Sequence, residues 1–379
     1  MAAAPQSRVM RIRGGWLVLA ALLGLTACAP PEPIRIGFVS TLSGRSADLG
    51  MSGRNGTLLA VEEINAAGGI NGRSIELLVR DDEQNDQTGT RAVESLAAEK
   101  VVAIIGPMTS SMAFTLAPVV TELGVPLVSP TATANELLDR DDMLLRLSSP
   151  TSDHAKLDAS FQYQVQGRRR LAVAYELGNP IYTRGYLKEF TAVFTAQGGE
   201  LTHTIAFDSA KDTDLPAIIR EMASSKPDGL LFIANALDTA RLAQHARRQL
   251  PSMPLIGVAW AGTEELIELG GKAVEGMCVG QYFNRDDQSP AYLAFKENYQ
   301  KRFRELPGFG SAAAYDAVRV VADALRRKES SHTLKEALLK LGPYAGLQHP
   351  IRFNATGDTI RPSQVAVVRN GRLVAQPWP

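Results

Sequence analysis

The stretch Val101-Val102-Ala103-Ile104-Ile105-Gly106-Pro107-Met108-Thr109-Ser110-Ser111 carries the plan of the fold in miniature. A short, continuously apolar run rich in β-branched residues reads as a strand buried on both faces. Gly106 and Pro107 end it, and the hydroxyls that follow can open a helix, with Ser110 or Ser111 placed as N-cap. The unit recurs in both directions along the chain. Residues 34–39 precede a helical pattern through Leu58, Leu59, Val61 and Ile64, and residues 74–80 precede one over 91–99. Residues 125–129 lead to a short helix near Glu136, and residues 143–147 lead to a helix over 153–166. The rhythm restarts at residues 171–175, 201–206, 229–234 and 255–258, with helical patterns near 187–196, from Leu215 and from Asp238. Alternating β and α with near-continuous apolar strands predicts parallel sheets covered on both faces.

About ten such strands are too many for one comfortable sheet, so two sheets are expected, with Pro150 at the first crossover between them. Residues 290–304 and 311–327 read as two more helices. The tail differs: 351–353 and 365–368 are strand-like, and Asn370-Gly371 is a strong hairpin signal.

The chain has 379 residues, 45% apolar and 21% charged, a globular composition long enough for two cores. Its 40 basic and 40 acidic side chains cancel, which argues against a phosphate backbone as the main partner. Residues 1–27 stand apart. Arg8, Arg11 and Arg13 precede an apolar run of about a dozen residues from Gly14 to Leu25, too short to span a ~30 Å hydrocarbon core. This is the anatomy of a signal peptide. It ends in Leu25-Thr26-Ala27-Cys28, which resembles a bacterial lipobox, so Cys28 is expected to become the lipidated first residue. Residues 28–33, rich in proline, then read as an extended tether. Cys278 is left with no internal disulfide partner, and its apolar surroundings make it a small buried hydrophobe.

Catalytic signatures fail one after another. There is no G-x-G-x-x-G, no P-loop, no H-E-x-x-H and no C-x-x-C. Gly50-Met51-Ser52-Gly53-Arg54 breaks G-x-S-x-G at its last position. The five histidines lie far apart, so no metal and no cofactor are expected. Asp81-Asp82-Glu83 reads as a solvated loop after the second strand rather than a cation site.

In open parallel sheets, ligands bind beyond the carboxyl ends of the strands. Two such ends are hydroxyl-rich: Thr109-Ser110-Ser111, and Thr131, Thr133 and Asn135 after Pro130. Together with helix-start amides they could hold a carboxylate, or they could only cap helices. Spacing alone leaves both open.

Several longer motifs extend the reading. Ile36-Gly37-Phe38, Leu42-Ser43-Gly44, the run Asn65-Ala66-Ala67-Gly68-Gly69-Ile70-Asn71-Gly72-Arg73, Ile105-Gly106-Pro107 and Ser129-Pro130-Thr131-Ala132-Thr133 are among them, with Val274-Glu275-Gly276 and Tyr315-Asp316-Ala317-Val318 further on. In these, from Ile34 to the C-terminus, the chain resembles the leucine/isoleucine/valine-binding protein family, type I periplasmic binding proteins that serve ABC transporters. The resemblance implies an α/β fold of two Rossmann-like lobes joined by three crossovers, with a solute clamped in the cleft between them. It implies lobe 1 at 34–149 and 283–345, and lobe 2 at 150–282 and 346–379. It implies that Ser110 and Thr133 hold a solute carboxylate, that the Thr131 carbonyl receives an ammonium, and that Tyr182 closes from lobe 2. The chain departs from the family pattern elsewhere. Leu49 replaces an aromatic, Thr183 a glycine, and Asn235 or Ala236 another aromatic. Ala259 falls where an acid pairs with ammonium, next to Trp260; a local shift that lets Asp238 or Glu264 supply the charge is the alternative. The implied protein is a lipid-anchored, extracytoplasmic, monomeric solute-binding partner of ABC permease subunits. A ligand sensor on the same fold is the competing role.

Overall fold

The computed structural model describes residues 1–4, 31–211 and 213–377. Cys28 and most of the expected signal peptide lie outside the described residues. Five parallel strands form the first sheet: β1 (Ile34–Ser40), β2 (Ile75–Asp81), β3 (Ala103–Ile105), β4 (Leu127–Ser129) and β5 (Leu144–Arg146), in the order β2-β1-β3-β4-β5. Helices α1 (Ala47–Ala66), α2 (Asp86–Ala98) and α3 (Ser110–Leu123) connect them. Apolar residues such as Ile36, Phe38, Ile104 and Ile105 are fully buried along this sheet, as a doubly covered parallel sheet requires.

The chain then crosses to a second sheet. Its strands are β6 (Arg170–Glu176), β7 (Glu200–Phe207), β8 (Gly229–Ile233), β9 (Leu255–Gly257), β10 (Cys278–Gln281), β11 (Gln364–Arg369) and β12 (Arg372–Ala375), in the order β12-β11-β10-β9-β8-β6-β7. Helices α4 (Thr151–Ser160), α5 (Pro180–Ala196), α6 (Leu215–Ser224), α7 (Ala236–Gln249) and α8 (Glu264–Gly270) belong to this lobe. After β10 the chain returns to lobe 1 with α9 (Pro290–Phe303), α10 (Phe309–Arg327) and α11 (Leu334–Lys340). Helix α10 lies against α1 so closely that a Cβ at Gly56 would stand 2.0 Å from the Ser311 carbonyl oxygen. The chain finally crosses back to add the antiparallel β11–β12 pair.

Three crossovers thus form the hinge, and polar side chains stitch them together. The Ser149 hydroxyl donates to the Arg361 carbonyl at 2.8 Å and accepts the Arg361 amide at 2.6 Å. The Gln364 side-chain amide donates to the Phe283 carbonyl at 3.0 Å, and the Asn284 amide donates to Gln348 Oε1 at 3.0 Å.

Several details differ from the expectation. Strand β10 escapes the alternating pattern because Gly280 and Gln281 interrupt its apolar run. Residues 351–353 form only an isolated bridge, Ile351 to Tyr344. Residues 161–165 continue α4 as a π-helix rather than an α-helix to 166. The segment from 346, expected in lobe 2, bonds to strand β5 of the first sheet at Gly357 and Asp358. The Arg146 amide donates to the Gly357 carbonyl at 2.9 Å, and the buried Arg146 guanidinium pairs with Asp358 at 2.5 Å. The turn at Asn370 (φ 52°) and Gly371 (φ 68°) closes the last hairpin in the left-handed geometry its dipeptide favours. No described helix is long and apolar enough to cross a membrane.

Candidate functional site

At the end of β3 the chain must turn sharply beside β1. Gly106 adopts φ 108°, and a Cβ there would meet the Val39 carbonyl oxygen at 2.0 Å, so only glycine fits. The turn brings Thr109 and Ser110 to the start of α3, with Thr109 as N-cap and Ser110 as the first helical residue. The loop after β4 lies alongside. Two hydroxyls bind the two loops together, and a third ties the second loop to the segment after β5. Ser129 donates to the Pro107 carbonyl at 2.7 Å, Thr131 donates to the Met108 carbonyl at 2.6 Å, and Ser148 donates to the Pro130 carbonyl at 2.8 Å.

Ser110 does not cap its own helix. Its Oγ accepts the backbone N–H groups of Thr133 at 3.1 Å and Ala134 at 3.2 Å. Both bonds use its lone pairs, so its proton is available for donation. Thr133 Oγ1 lies 2.9 Å from Thr151 Oγ1. The Ser111 amide is taken by Asn179 Oδ1 of lobe 2 at 3.0 Å, and Ser111 Oγ accepts the Ile181 amide at 3.2 Å. The two lobes therefore meet across the start of α3.

Between them lies a cavity of about 250 Å³ lined by Leu49, Met108, Ser110, Thr131, Thr133, Asn179, Tyr182, Trp260, Tyr282 and Phe309. Lobe 2 and the hinge supply an aromatic wall. Tyr182 meets Trp260 edge-on at 5.8 Å, and Tyr282 meets Phe309 edge-on at 5.2 Å. The Tyr182 hydroxyl is buried, with the Tyr282 hydroxyl as its neighbour. Burial raises the Tyr182 phenol well above its usual range and pushes Tyr282 up to about 12, so both stay protonated donors. Behind them Asp158 is buried, and burial holds its carboxyl at about 7; it accepts the Tyr186 hydroxyl at 2.5 Å. His154, buried between the Ser149 carbonyl and Ser363, is pushed down to about 3 by burial and stays neutral.

Of the residues expected from sequence, Ser110, Thr131, Thr133, Tyr182 and Trp260 come together on this cavity. Thr109 and Asn235 do not line it. Asn235 caps α7, accepting the Asp238 amide at 2.8 Å and donating to Asp238 Oδ2 at 3.0 Å. Neither alternative source of charge reaches the cavity. Asp238 pairs with Arg45 at 2.5 Å, and Glu264 with Arg285 at 2.8 Å. No charged side chain is among the described residues that line it. Asp81 and Asp82 are not simply solvated. Asp81 accepts the Leu42 amide at 2.9 Å, and the buried Asp82 accepts the Thr41 hydroxyl at 2.7 Å, which pins the loop leading to Leu49. Sequence reasoning missed Asn179, Tyr282 and Phe309. Asn179 precedes Pro180 at a strand's carboxyl end, a recognisable helix start; Tyr282 follows the unrecognised β10, and Phe309 follows the breaker pair Pro307-Gly308.

Among the described residues no group of three or more His, Cys, Asp or Glu could hold a metal ion. Cys278 is buried, and burial raises its thiol.

Comparison with known proteins now bears on this arrangement. A Leu/Ile/Val-binding protein homologue of Brucella melitensis is 24% identical over 354 residues, covering 92% of this chain and 94% of that protein. The substrate-binding protein LivJ of the branched-chain amino-acid transporter of Streptococcus pneumoniae, solved with isoleucine, superposes with a TM-score of 0.84 at 26% identity, over 91% of this chain and 99% of that one. A solute-binding protein of an ABC transporter from R. palustris, solved with benzoate, shares the fold with a TM-score of 0.80 at 20% identity, over 90% of this chain and 95% of that one. The profile of the family described as periplasmic binding protein matches residues 33–372. Its members bind substrates for ABC transporters outside the cytoplasm and are not enzymes. Two Rossmann-like lobes, three crossovers and a match over nearly the whole chain place this protein in the periplasmic binding protein family.

Proposed function

We propose that this protein is the monomeric, lipid-anchored solute-binding subunit of an ABC importer. It captures a small carboxylate whose far end is uncharged and apolar or aromatic, and presents it to permease subunits. Lobe 1 comprises 34–149 with the segment from 283 to about 361, and lobe 2 comprises 150–282 with the remainder. The observation that carries the reading is the two-sided cavity. Ser110, Thr131 and Thr133 come from lobe 1, Tyr182 and Trp260 from lobe 2, Tyr282 and Phe309 add two more rings, and no charged side chain lines the cavity.

A carboxylate is served by the Ser110 proton and by the Thr133 hydroxyl, backed by the dipole at the start of α3. An ammonium has no counter-charge here, since Ala259 stands where the family places its acid and Asp238 and Glu264 are paired elsewhere. The aromatic wall supplies apolar area and ring edges to the other end of the solute. A thermal-shift panel of leucine, isoleucine, valine and aromatic and aliphatic carboxylic acids tests the solute class, with benzoate as the first aromatic probe.

The anchor is argued from sequence. Basic n-region, apolar h-region and Leu25-Thr26-Ala27-Cys28 point to a diacylglyceryl thioether on Cys28, and buried methylenes contribute ~0.8 kcal/mol each. Replacing Cys28 by Ser is expected to move the protein from the membrane to the soluble extracytoplasmic fraction. Unchanged membrane retention would contradict the anchor.

A further inference from the structure

The rim of the cleft carries a second interlobe contact, outside the solute cavity. The start of α1 in lobe 1 faces the starts of α7 and α8 in lobe 2. Arg45, just before α1, donates to Asp238 Oδ1 at 2.5 Å, and the Asp238 side chain is completely buried. Close by, Asp48 Oδ2 accepts the Thr263 hydroxyl at 3.2 Å, and Asp48 and Glu265 line the same groove from opposite lobes. Glu265 Oε2 is buried without a conventional donor. Two carboxylates pressed together in a half-desolvated gap cannot both keep their charge at little cost; sharing one proton turns the repulsion into a hydrogen bond.

We propose that Asp48 and Glu265 form a proton-sharing latch, so that closing the lobes takes up one proton and the closed form is lost as the pH rises. The surroundings favour the proton. Asp238 and Glu268 add negative charge around Glu265. Glu264 and Glu305 line the same groove of about 1090 Å³, as do the Tyr299 phenol and the exposed Arg304. Of the nearby cations, Arg45 is engaged by Asp238 and Arg285 by Glu264 at 2.8 Å, while Arg304 is exposed to solvent. No cation is among the leading influences on either member of the pair. Burial first, and the Asp48 charge second, push Glu265 up to about 8, and burial raises Asp48 as well.

The sign follows directly. With the lobes apart both carboxyls face water and titrate near ~4. The latch is then fully formed below ~4 and is lost as the pH climbs to about 8. For one proton the closed-to-open ratio falls by up to about tenfold per pH unit within that window.

The test needs no solute, so its result is separate from the solute assignment. Spin labels on exposed helix positions, one per lobe, report the interlobe distance of the solute-free protein by double electron–electron resonance. The native Cys278 is buried and stays unlabelled in the folded chain. The closed population is expected to shrink from pH 5.5 to pH 9 in the wild type. It is expected to stay constant in Glu265→Gln, whose amide donates to Asp48 at every pH. Asp48→Asn provides the same check from the other lobe. A wild-type distance distribution that does not move with pH would overturn the latch, as would an equal movement in both variants.

Discussion

The two walls of the cleft are built on opposite principles. The lobe 1 wall carries the hydroxyls, beside the apolar Leu49 and Met108, and much of their bonding is internal: Thr131 and Ser129 hydroxyls are spent on carbonyls, and Ser110 Oγ takes two backbone amides. What it offers a solute is one or two protons held in fixed positions, which suits a carboxylate. The wall from lobe 2 and the hinge is aromatic: Tyr182 meets Trp260 edge-on, and Tyr282 meets Phe309 edge-on. It offers area rather than charge. On the function proposed above, the difference would put directional selectivity in lobe 1 and leave lobe 2 to grade solutes by size and apolarity.

Two substitutions bear on this contrast, and the first carries the larger effect. Ser110→Ala removes a donor to a charged group and leaves the Thr133 and Ala134 amides without their acceptor. Affinity for the tightest acid of the panel is expected to fall by about 1.5–3 kcal/mol, and calorimetry reads it directly. Affinity within error of wild type would remove Ser110 from the site. Trp260→Ala acts on the other wall. Losing roughly 80 Å² of apolar contact at ~25 cal/mol per Å² costs about 2 kcal/mol. The loss is expected to be larger for aromatic than for short aliphatic acids of equal charge. An equal loss for both would mean that Trp260 shapes the lobe and does not grade the solute.

The fold was legible because its strands are buried on both faces, which leaves uninterrupted apolar runs such as residues 101–105 that few other architectures produce. What escaped was set by contacts between distant segments. Strand β10 holds only four residues with Gly280 and Gln281 in it, and its place is decided by pairing with β9 and β11. The course of residues 346–361 depends on the buried Arg146–Asp358 pair, which no local pattern reveals. The site divided the same way. Ser110, Thr131 and Thr133 sit at strand ends, where a sequence announces them. Tyr282 reaches the cavity from a crossover segment and Phe309 from the start of α10, so only the assembled lobes bring them there. Asn235 satisfied the local rule for a helix cap, and that rule outweighs its position near the cleft.

The central claim is that the solute is a carboxylate with no cationic end. Calorimetry of the mature protein with benzoate, the other acids of the panel and leucine tests it most directly. A buried ammonium without its partner costs about 2–5 kcal/mol, so leucine is expected to bind at least about 30-fold more weakly than the best uncharged-tail acid. Micromolar or tighter binding of leucine would contradict the claim and restore a branched-chain amino acid as the solute.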